Sequence, residues 1–381
     1  MNVRDSEVIC GLLKKEGYRI TDEPEKADII LLNTCSVRQH AEDKVWSEIG
    51  RYKSKGPLLP LRTNHPRPRI IGVIGCMAQN YKEKIFERTP QVDFIVGPQD
   101  LHKIPEIIVN LTTSHILPKN LFEKKIFETD GEIRPEEIYH TGFYEDKRHA
   151  YVVISEGCSN FCSYCVVPYV RGHLRSRNYK DILREIEEAV GEGITKITLL
   201  GQNVNAYQYK DINFVRLVGV VNSVKGLKEF SFITSHPKDT SLDLFKTMQE
   251  SEKIKKYLHL PVQSGCDRIL KLMNRGYNRK FYLDLVDNYR KIVKNAALTT
   301  DIIVGFPSET EDCFQETCDL LKKVEFDSAF IFKYSPRPHT EAQRLADDVE
   351  ETEKRRRHGL ILDLQKLISK KKKSETAIIN E

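Results

Sequence analysis

Clusters of polar and sulfur-bearing residues directly follow short apolar runs throughout the chain from residue 149 onward. The clusters lie in SEGCSNFC, LLGQNVN, TSHP, LPVQSG and VGFP. Apolar runs of this length, separated by helical patterns, are typical of buried parallel strands. In parallel sheets and (β/α) barrels the chemistry lies at the carboxyl ends of the strands. The sequence therefore predicts an α/β fold with its functional site at that end.

Residues 149–373 contain six predicted strands, which suits a partial (β/α)6 barrel and is too few for a complete eight-stranded barrel. The predicted strands are Tyr151–Ile154, Lys196–Leu200, Glu229–Ile233, Tyr257–Leu260, Leu298–Val304 and Ser328–Phe332. Helical patterns lie between them, for example over Asp181–Val190 and Phe314–Val324. A last helix, predicted over Glu351–Lys373, is basic near both ends, and residues 374–381 form a tail. The basic side chains of this helix, among them Lys354 to Arg357, either contact phosphate or form a solvated face.

Residues 1–111 form a separate series of alternating helices and strands. Helices are predicted over Ser6–Glu16 and Val37–Tyr52, and strands over Ala27–Leu32, Arg69–Ile74 and Val92–Val96. This pattern predicts a small flavodoxin-like parallel sheet covered on both faces. The Pro-rich segment 52–69 is predicted to be an exposed basic loop, and the weakly periodic segment 112–148 to be a linker.

Composition narrows the class of protein and its compartment. The 381 residues are 40% hydrophobic and 30% charged, as in ordinary globular proteins. No apolar run approaches the roughly 18 residues of a membrane span, and the chain begins without a signal-peptide pattern, so we expect a cytoplasmic protein. Nine cysteines, an odd number, fit metal ligation, reactive thiols or a buried core better than a disulfide framework.

Three of these cysteines follow a predicted strand in the spacing CxxxCxxC: Cys158, Cys162 and Cys165. Thiolates are soft ligands that suit iron–sulfur clusters, and four of them normally complete a [4Fe–4S] cube. Three without a fourth would leave one iron open to a cofactor. The alternatives are three buried cysteines or a zinc site, for which His173 is the only nearby fourth ligand.

The chain resembles the radical S-adenosylmethionine methylthiotransferases, and within them the tRNA-2-methylthio-N6-dimethylallyladenosine synthases (MiaB type). The resemblance runs in order from residue 1 to about residue 370. It is carried by MNVRDSE, NTCSVR, GCMAQ, SEGCSNFCSYCVVPYVRG, LLGQNVN, TSHPKD, LPVQSGCDRILKLMNRGY, DIIVGFPSET and FDSAFIFKYSPRPHT. It implies that S-adenosylmethionine binds the open iron and yields a 5′-deoxyadenosyl radical on reduction.

The resemblance also implies a second [4Fe–4S] cluster in the first domain. Cys35 and Cys76 match two of its ligands, and the family's third cysteine falls immediately before Met1, so we expect this auxiliary cluster to be incomplete or labile. Cys10 lies mid-helix and is interpreted as a small buried residue. The other cysteines, Cys266, Cys313 and Cys318, are predicted to lie in helical segments and to be structural. The family's C-terminal RNA-binding TRAM domain is expected to be absent.

Polar residues at the remaining strand ends are candidates for binding S-adenosylmethionine: Gln202, Asn203, Asn205, Ser235, His236, Gln263 and Ser264. The amides could instead cap the following helices. After the cysteine loop come three arginines, Arg171, Arg175 and Arg177, which are either solvated or in contact with a cofactor carboxylate or an RNA phosphate.

By resemblance, the predicted reaction transfers a methylthio group to C2 of N6-isopentenyladenosine next to the anticodon of tRNA. One S-adenosylmethionine methylates a sulfur at the auxiliary cluster, and a second supplies the radical that removes the hydrogen from C2. The alternatives are a ribosomal protein aspartate or threonylcarbamoyl-adenosine in tRNA as substrate, or an inactive cluster-binding fragment. The expected partners are tRNA and an external one-electron reductant, with no membrane, for a monomeric enzyme.

Overall fold

The computed structural model describes residues 1–36, 39–52, 70–114, 125–131 and 133–379. The predicted basic loop 52–69 therefore lies outside the described residues, apart from Tyr52. The chain divides into two compact units. The N-terminal unit comprises Met1–Asp146 and Tyr169–Arg171, and the barrel unit comprises Lys147–Pro168 and Gly172–Glu381.

The N-terminal unit is a parallel four-stranded sheet with helices on both faces, which confirms the predicted parallel-sheet class. Its strands are β1 (Ile29–Thr34), β2 (Ile70–Gly75), β3 (Phe94–Val96) and β4 (Ile126–Glu128), in the spatial order β1-β2-β3-β4. Its helices are α1 (Asn2–Lys15), α2 (Gln39–Arg51), α3 (Cys76–Tyr81), α4 (Lys84–Arg88) and α5 (Ile104–Ser114).

Strand β2 shows why the sheet needs two layers of helices. Successive side chains of a strand point to opposite faces. Ile70 and Ile74 accordingly pack in one core with residues of α1 and α5, whereas Ile71 and Val73 pack in a second core with residues of α2, α3 and α4. A strand buried on both faces is apolar at nearly every position, which explains the continuous run IIGVIG.

The segment 112–148 differs from the predicted linker. Residues 112–114 complete α5, and β4 pairs with β3 as the fourth strand of the sheet. Further along the segment, Arg134 and Tyr139 are buried. No clear pattern marks this segment in the sequence, because β4 has only three residues and the rest is held by hydrogen bonds from buried polar side chains.

The barrel unit contains six parallel strands in two three-stranded sheets, β5-β8-β11 and β12-β13-β14. These strands are β5 (His149–Val153), β8 (Lys196–Leu200), β11 (Glu229–Phe232), β12 (Tyr257–His259), β13 (Ala297–Val304) and β14 (Ser328–Lys333). Two short antiparallel pairs lie outside them: β6 (Ser155–Glu156) with β7 (Arg175–Ser176), and β9 (Gln208–Tyr209) with β10 (Ile212–Asn213). An isolated parallel bridge from Phe230 of β11 to Ile254 joins the first sheet to the segment that leads into β12. The predicted parallel α/β class with six barrel strands is confirmed.

Helices alternate with the barrel strands, as the sequence predicts. They are α6 (Val167–Arg171), α7 (Tyr179–Gly191), α8 (Phe214–Asn222), α9 (Leu242–Glu250), α10 (Asp267–Leu272), α11 (Arg279–Ile292), α12 (Glu311–Val324) and α13 (Glu351–Ile379). On β13, Leu298, Ile302 and Val304 are fully buried, whereas Asp301 on the opposite face is only half-buried. The apolar face therefore packs on helices and the polar face lines the interior. Among the described residues, no helix is long and apolar enough to cross a membrane.

Candidate cofactor and cluster sites

The cysteine loop Cys158–Cys165 begins where β6 ends, at a backbone position that only glycine suits. Gly157 has φ +73°, and a Cβ at this position would collide with the carbonyl oxygen of His173. The backbone N–H of Gly157 donates to Oε1 of Gln202 over 2.5 Å, and that of Cys158 donates to the carbonyl oxygen of Gly172 over 3.1 Å. The loop is therefore fixed at both its strand and its neighbouring turn.

The three thiols of this loop lie close enough to influence one another's ionisation. Burial, together with the neighbouring Cys162 and Cys158, raises the pKa of Cys165 to about 12. Burial also raises the pKa of Cys158. Cys162 is buried and Cys158 and Cys165 are half-buried, and thiolates at such positions need a cationic partner, so this donor set fits a thiolate-bound cluster. In the described part of the chain, no group of three or more His, Cys, Asp or Glu residues could hold a single metal ion.

A buried arginine that the sequence analysis missed contacts this loop. Arg275 donates from Nη1 to Sγ of Cys162 and to the hydroxyl of Tyr164, each over 3.2 Å. It also donates from Nη2 to the carbonyl oxygen of Pro261 over 2.8 Å and from Nε to the hydroxyl of Tyr277 over 3.0 Å. The only sequence signal was its place in LKLMNRGY, since charge alone does not distinguish a buried arginine from an exposed one.

His236, predicted at a strand end, faces the same cysteine. Its Nδ1 accepts from the backbone N–H of Lys238 over 3.2 Å, so the ring hydrogen lies on Nε2, which is 3.8 Å from Sγ of Cys162. Burial, the guanidinium of Arg275 and the ammonium of Lys238 lower the pKa of His236 to about 2. The ring is therefore neutral, and it presents an N–H to the cluster ligand.

The three amides after β8 differ in how far protein groups already engage them. Asn205 is used on both sides, because its Oδ1 accepts from the N–H of His236 and its Nδ2 donates to His236 and Thr240. Gln202 holds the cysteine loop, as described above. Asn203 donates to Asp239 over 2.6 Å, and its buried Oδ1 has no hydrogen-bond partner within the described structure. These contacts favour a positioning role for Asn205 and leave Asn203 able to bind a donor.

Two serine hydroxyls at the strand ends are also buried without a partner among the described residues: Oγ of Ser155 and Oγ of Ser235. Buried polar atoms normally have partners, so these atoms fit a polar cofactor such as S-adenosylmethionine. Ser235 was a sequence candidate and Ser155 was not, because a single serine within a strand gives no distinct pattern.

The remaining strand-end candidates follow β12. Ser264 is buried, its Oγ accepts from the N–H of Cys266 over 3.2 Å, and it lies 3.4 Å from Oγ1 of Thr317. Gln263 has φ +72°, and its backbone continues the ladder through bonds with Asp301 and Ile303. The hydroxyl of Ser264 therefore stabilises the loop, while the side chain of Gln263 makes no described hydrogen bond.

In the N-terminal unit, Cys35 directly follows β1 and Cys76 begins α3 after β2. Arg171 donates from Nε to Sγ of Cys76 over 3.2 Å and from Nη2 to Asp5 over 2.6 Å. Asp5 also pairs with Arg134 over 2.7 Å. Although burial opposes it, these two guanidinium groups hold the pKa of the Asp5 carboxyl well below its usual range. A buried ion-pair chain therefore fixes Arg171 against the cysteine.

Unpartnered polar atoms in the segments that carry Cys35 and Cys76 fit a polar or charged group bound there. Oγ of Ser36 and both amide atoms of Asn80 are buried and without a partner in the part of the chain that the structure describes. The amino group of Met1 lies near enough to Cys35 and Cys76 for both thiols to act on its pKa, which burial lowers. The electrostatic neighbours of Cys10 are Lys14, Glu145 and Glu7, and no cysteine is among them.

The arginines that follow the cysteine loop are not simply solvated. Arg171 is 3% exposed in its ion pair with Asp5. Arg177 is buried, pairs with Asp181 and Glu185, and donates to the carbonyl oxygen of Val153. Only Arg175 is partly exposed, 3.8 Å from Glu156. At least Arg171 and Arg177 are thus structural ion-pair residues that cannot contact a phosphate from the surface.

The basic cluster of α13 is likewise paired with carboxylates. Lys354 and Arg357 are buried and bind Asp347 and Glu309. The exposed residues Arg355 and Arg356 pair with acidic residues of α12 and α13: Glu311, Glu351 and Glu353. The structure therefore disfavours the prediction that these four side chains contact phosphate.

The three cysteines predicted to be structural are all buried. Cys313 and Cys318 lie in α12, whereas Cys266 precedes α10 by one residue and is not within a helix as predicted. Sγ of Cys266 lies 2.7 Å from Sγ of Cys313. The sequence could not show this proximity because the two residues are 47 positions apart.

Comparison with protein families gives two matches. Residues 152–321 match the radical SAM superfamily, and residues 1–97 match the uncharacterized protein family UPF0004. Among curated relatives, a tRNA-2-methylthio-N(6)-dimethylallyladenosine synthase of Clostridium perfringens is 41% identical over 389 residues, covering 100% of this chain and 83% of the relative. The corresponding synthase of Carboxydothermus hydrogenoformans is 44% identical over 375 residues, covering 97% and 82%.

Solved structures show the same fold at low sequence identity. The radical S-adenosylmethionine methyltransferase TsrM of Kitasatospora setae, with cobalamin and a [4Fe–4S] cluster bound, aligns with a TM-score of 0.59 and 12% identity. The alignment covers 89% of this chain and 73% of TsrM. The cobalamin-dependent radical enzyme OxsB aligns with a TM-score of 0.52 and 13% identity, covering 93% and 50%.

Proposed function

The chain belongs to the tRNA-2-methylthio-N6-dimethylallyladenosine synthases, and we propose that it transfers a methylthio group to C2 of N6-isopentenyladenosine next to the anticodon of tRNA. The observation that carries this proposal is identity above 40% along nearly the whole chain, together with the cysteine loop at the carboxyl end of the barrel strands. It is a radical S-adenosylmethionine enzyme of the transferase class.

In the barrel unit, Cys158, Cys162 and Cys165 would hold a [4Fe–4S] cluster that supplies the electron for cleaving S-adenosylmethionine. The buried groups of Ser155, Asn203 and Ser235 are suited to bind polar atoms of that cofactor. Other strand-end residues act by positioning: Asn205 fixes the loop of His236, and Gln202 fixes Gly157. Because a carbon radical reacts with many hydrogen donors, a buried site that excludes water protects the substrate reaction.

Arg275 and His236 give the barrel site its electrostatic character. Both present N–H groups toward Cys162, and the guanidinium carries a positive charge beside a buried thiolate. Hydrogen bonds to cluster sulfurs and nearby charge set the reduction potential of such clusters. We assign both residues the role of tuning and orienting the cluster ligand.

In the N-terminal unit, Cys35 and Cys76 would hold the auxiliary cluster, at which a sulfur would be methylated before the methylthio group is transferred. Arg171 donates to Cys76 and is fixed by Asp5. We therefore assign Arg171 the same role at this cysteine that Arg275 has at Cys162, which is to orient the ligand and tune the cluster. A cube usually takes more than two protein thiolates. The amino group of Met1 is influenced by both Cys35 and Cys76, which makes a cysteine placed directly before Met1 the candidate for the third ligand.

The substrate alternatives receive less support. The relatives described above are tRNA-modifying synthases, which favours tRNA over a ribosomal protein aspartate. We further propose that the enzyme works as a monomer in the cytoplasm, with an external one-electron reductant.

The test is anaerobic reconstitution with iron and sulfide, followed by reaction with S-adenosylmethionine and tRNA that carries N6-isopentenyladenosine. We expect 2-methylthio-N6-isopentenyladenosine in the tRNA hydrolysate. Cys162→Ala should abolish 5′-deoxyadenosine formation, whereas Cys35→Ala should leave it measurable because the barrel site is separate. Equal 5′-deoxyadenosine from Cys162→Ala and the unaltered chain would refute the assignment of the barrel cluster.

A second comparison addresses the auxiliary cluster. The chain Met1–Glu381 is compared with a chain that carries one additional cysteine directly before Met1, and the iron content of each is measured after reconstitution. We expect about four irons in the first and about eight in the second, with methylthiolated tRNA rising accordingly. Eight stable irons in the chain Met1–Glu381 would show that another residue serves as the third ligand, and Cys10 would be the first to mutate.

A further inference from the structure

The interior faces of β12 and β13 carry a continuous series of hydrogen-bonded polar side chains. The hydroxyl of Tyr257 lies 2.7 Å from Oγ1 of Thr299, which in turn lies 3.0 Å from Nδ1 of His259. Nε2 of His259 lies 3.3 Å from Oδ2 of Asp301. Donors and acceptors are matched if Tyr257 donates to Thr299, Thr299 donates to Nδ1 of His259, and Nε2–H of His259 donates to Asp301. No described hydrogen bond then uses Oδ1 of Asp301.

An exposed aromatic ring stands beside this carboxylate. Phe330 of β14 is directly opposite Asp301 in the strand register and is 49% exposed. Its ring meets that of His259 edge to face, with 6.0 Å between the ring centroids. Neighbouring strands of a sheet lie roughly 5 Å apart, so the two side chains are adjacent on one face. The face thus pairs an acceptor with an apolar surface within the span of one small molecule.

This face leads directly to the cysteine loop. Ile303 lies two residues after Asp301 on the same face of β13 and packs in the apolar cluster that includes Tyr164. Tyr164 immediately precedes Cys165. Since a strand rises about 3.3 Å per residue, Asp301 lies roughly 7 Å along the strand from Ile303. A ligand held by Asp301 and Phe330 would therefore lie inside the barrel, next to the site of radical chemistry.

We propose that Asp301 and Phe330 recognise the N6 position of the substrate adenine, with Asp301 accepting from N6–H and Phe330 contacting the isopentenyl group. This inference rests on the proposed function and assigns its substrate specificity to two residues. N6-isopentenyladenine has one N–H and one apolar five-carbon chain on the same nitrogen. An acceptor and an exposed aromatic ring on adjacent strands are complementary to that pair of groups.

The adenine of S-adenosylmethionine is the other base that could occupy this face. It has an unsubstituted amino group and no apolar chain, so it leaves Phe330 without a matching group. The substrate adenine and the adenine of S-adenosylmethionine are distinguished by measuring the enzyme's affinity for RNA and for S-adenosylmethionine separately.

The experiment uses two anticodon stem-loop RNAs that differ only in the isopentenyl group. Their affinities for the reconstituted enzyme are measured for the unaltered chain, Phe330→Ala and the control Phe281→Ala, which removes a comparably exposed ring (42%) from α11. We expect Phe330→Ala to reduce the preference for the prenylated RNA roughly tenfold and Phe281→Ala to leave it unchanged. Asp301→Ala should weaken binding of both RNAs.

The affinity for S-adenosylmethionine and the yield of 5′-deoxyadenosine without RNA are measured for the same variants and should stay within about twofold. An unchanged prenyl preference in Phe330→Ala would overturn the inference, as would an equal loss of S-adenosylmethionine affinity, which would assign the face to the cofactor. Failure of the proposed function is seen separately, as absence of methylthiolated product from the unaltered enzyme even though it prefers the prenylated RNA.

Discussion

The guanidinium of Arg275 lies 3.2 Å from Sγ of Cys162, across 113 residues of sequence. In the N-terminal unit, the guanidinium of Arg171 lies at the same distance, 3.2 Å, from Sγ of Cys76. Each candidate cluster site therefore has one buried arginine that donates to a cysteine sulfur. Arginine keeps its charge in a buried site where lysine could lose it, which suits a residue placed against a thiolate.

Replacing Arg275 by Met should make the barrel cluster harder to reduce, because the positive charge and the hydrogen bond to Cys162 favour the reduced state. We expect the reduction potential to fall by roughly 60 mV, the equivalent of a tenfold change for a one-electron couple. The potential is measured by electron paramagnetic resonance during anaerobic titration. A potential unchanged in the Met variant would contradict the assigned role.

The neutral His236 predicts a loss of stability at mildly acidic pH. The folded pKa of about 2 lies below the ordinary value of about 6.5. As the pH falls below about 6.5, the unfolded chain therefore takes up a proton that the folded chain does not, which favours unfolding. Between pH 7 and pH 5 this effect should remove about 2 kcal/mol of stability.

His236→Asn should lose correspondingly less stability over the same interval, because Oδ1 of Asn can still accept from Lys238 and does not titrate. The measurement is urea unfolding of the iron-free chain at both pH values. An identical pH dependence in the two chains would show that His236 is protonated in the folded state or not buried in solution.

The paired arginines of α13 should contribute little to RNA binding. We expect Arg355→Gln with Arg356→Gln to leave the salt dependence of tRNA affinity unchanged, because both guanidinium groups are paired with carboxylates. In contrast, replacing Arg62, Arg67 and Arg69 of the predicted basic loop by Gln should flatten the slope by about 2 if each contacts a phosphate. A flatter slope in the α13 variant and an unchanged slope in the loop variant would assign the RNA contact to α13 instead.

Cys266 and Cys313 should form a disulfide on mild oxidation. Burial raises the pKa of Cys266 to about 11, whereas hydrogen bonds from Cys266, Thr310 and Arg268 outweigh burial and lower the pKa of Cys313. Cys313 is therefore the residue whose thiolate should react with peroxide first and be oxidised to a sulfenic acid. The sulfenic acid then condenses with Cys266, so that two thiols and one peroxide give one disulfide and two waters.

Peptide mass spectrometry after blocking free thiols should find the linked Cys266–Cys313 peptides in the oxidised chain. Cys318, which is buried on the same helix, is the matched control and should be recovered as a free thiol. Cys313→Ser should remove the linked species. Separate recovery of Cys266 and Cys313 after oxidation would show that the two sulfurs do not meet in solution.

The sequence alone determined the parallel strands, the position of the cysteine loop and the family, because these depend on local features. Apolar runs such as IIGVIG and LTTDIIV record strand burial, and the spacing from Cys158 to Cys165 is fixed within one loop. Only the tertiary structure decided which polar side chains act together. The contact of Arg275 with Cys162 and the line from His259 to Asp301 depend on strand register and barrel closure, which bring together residues far apart in sequence. The same long-range pairing decided that Asn205 and the arginines of α13 are already engaged by protein groups, since a polar residue's partners are set by the packing around it.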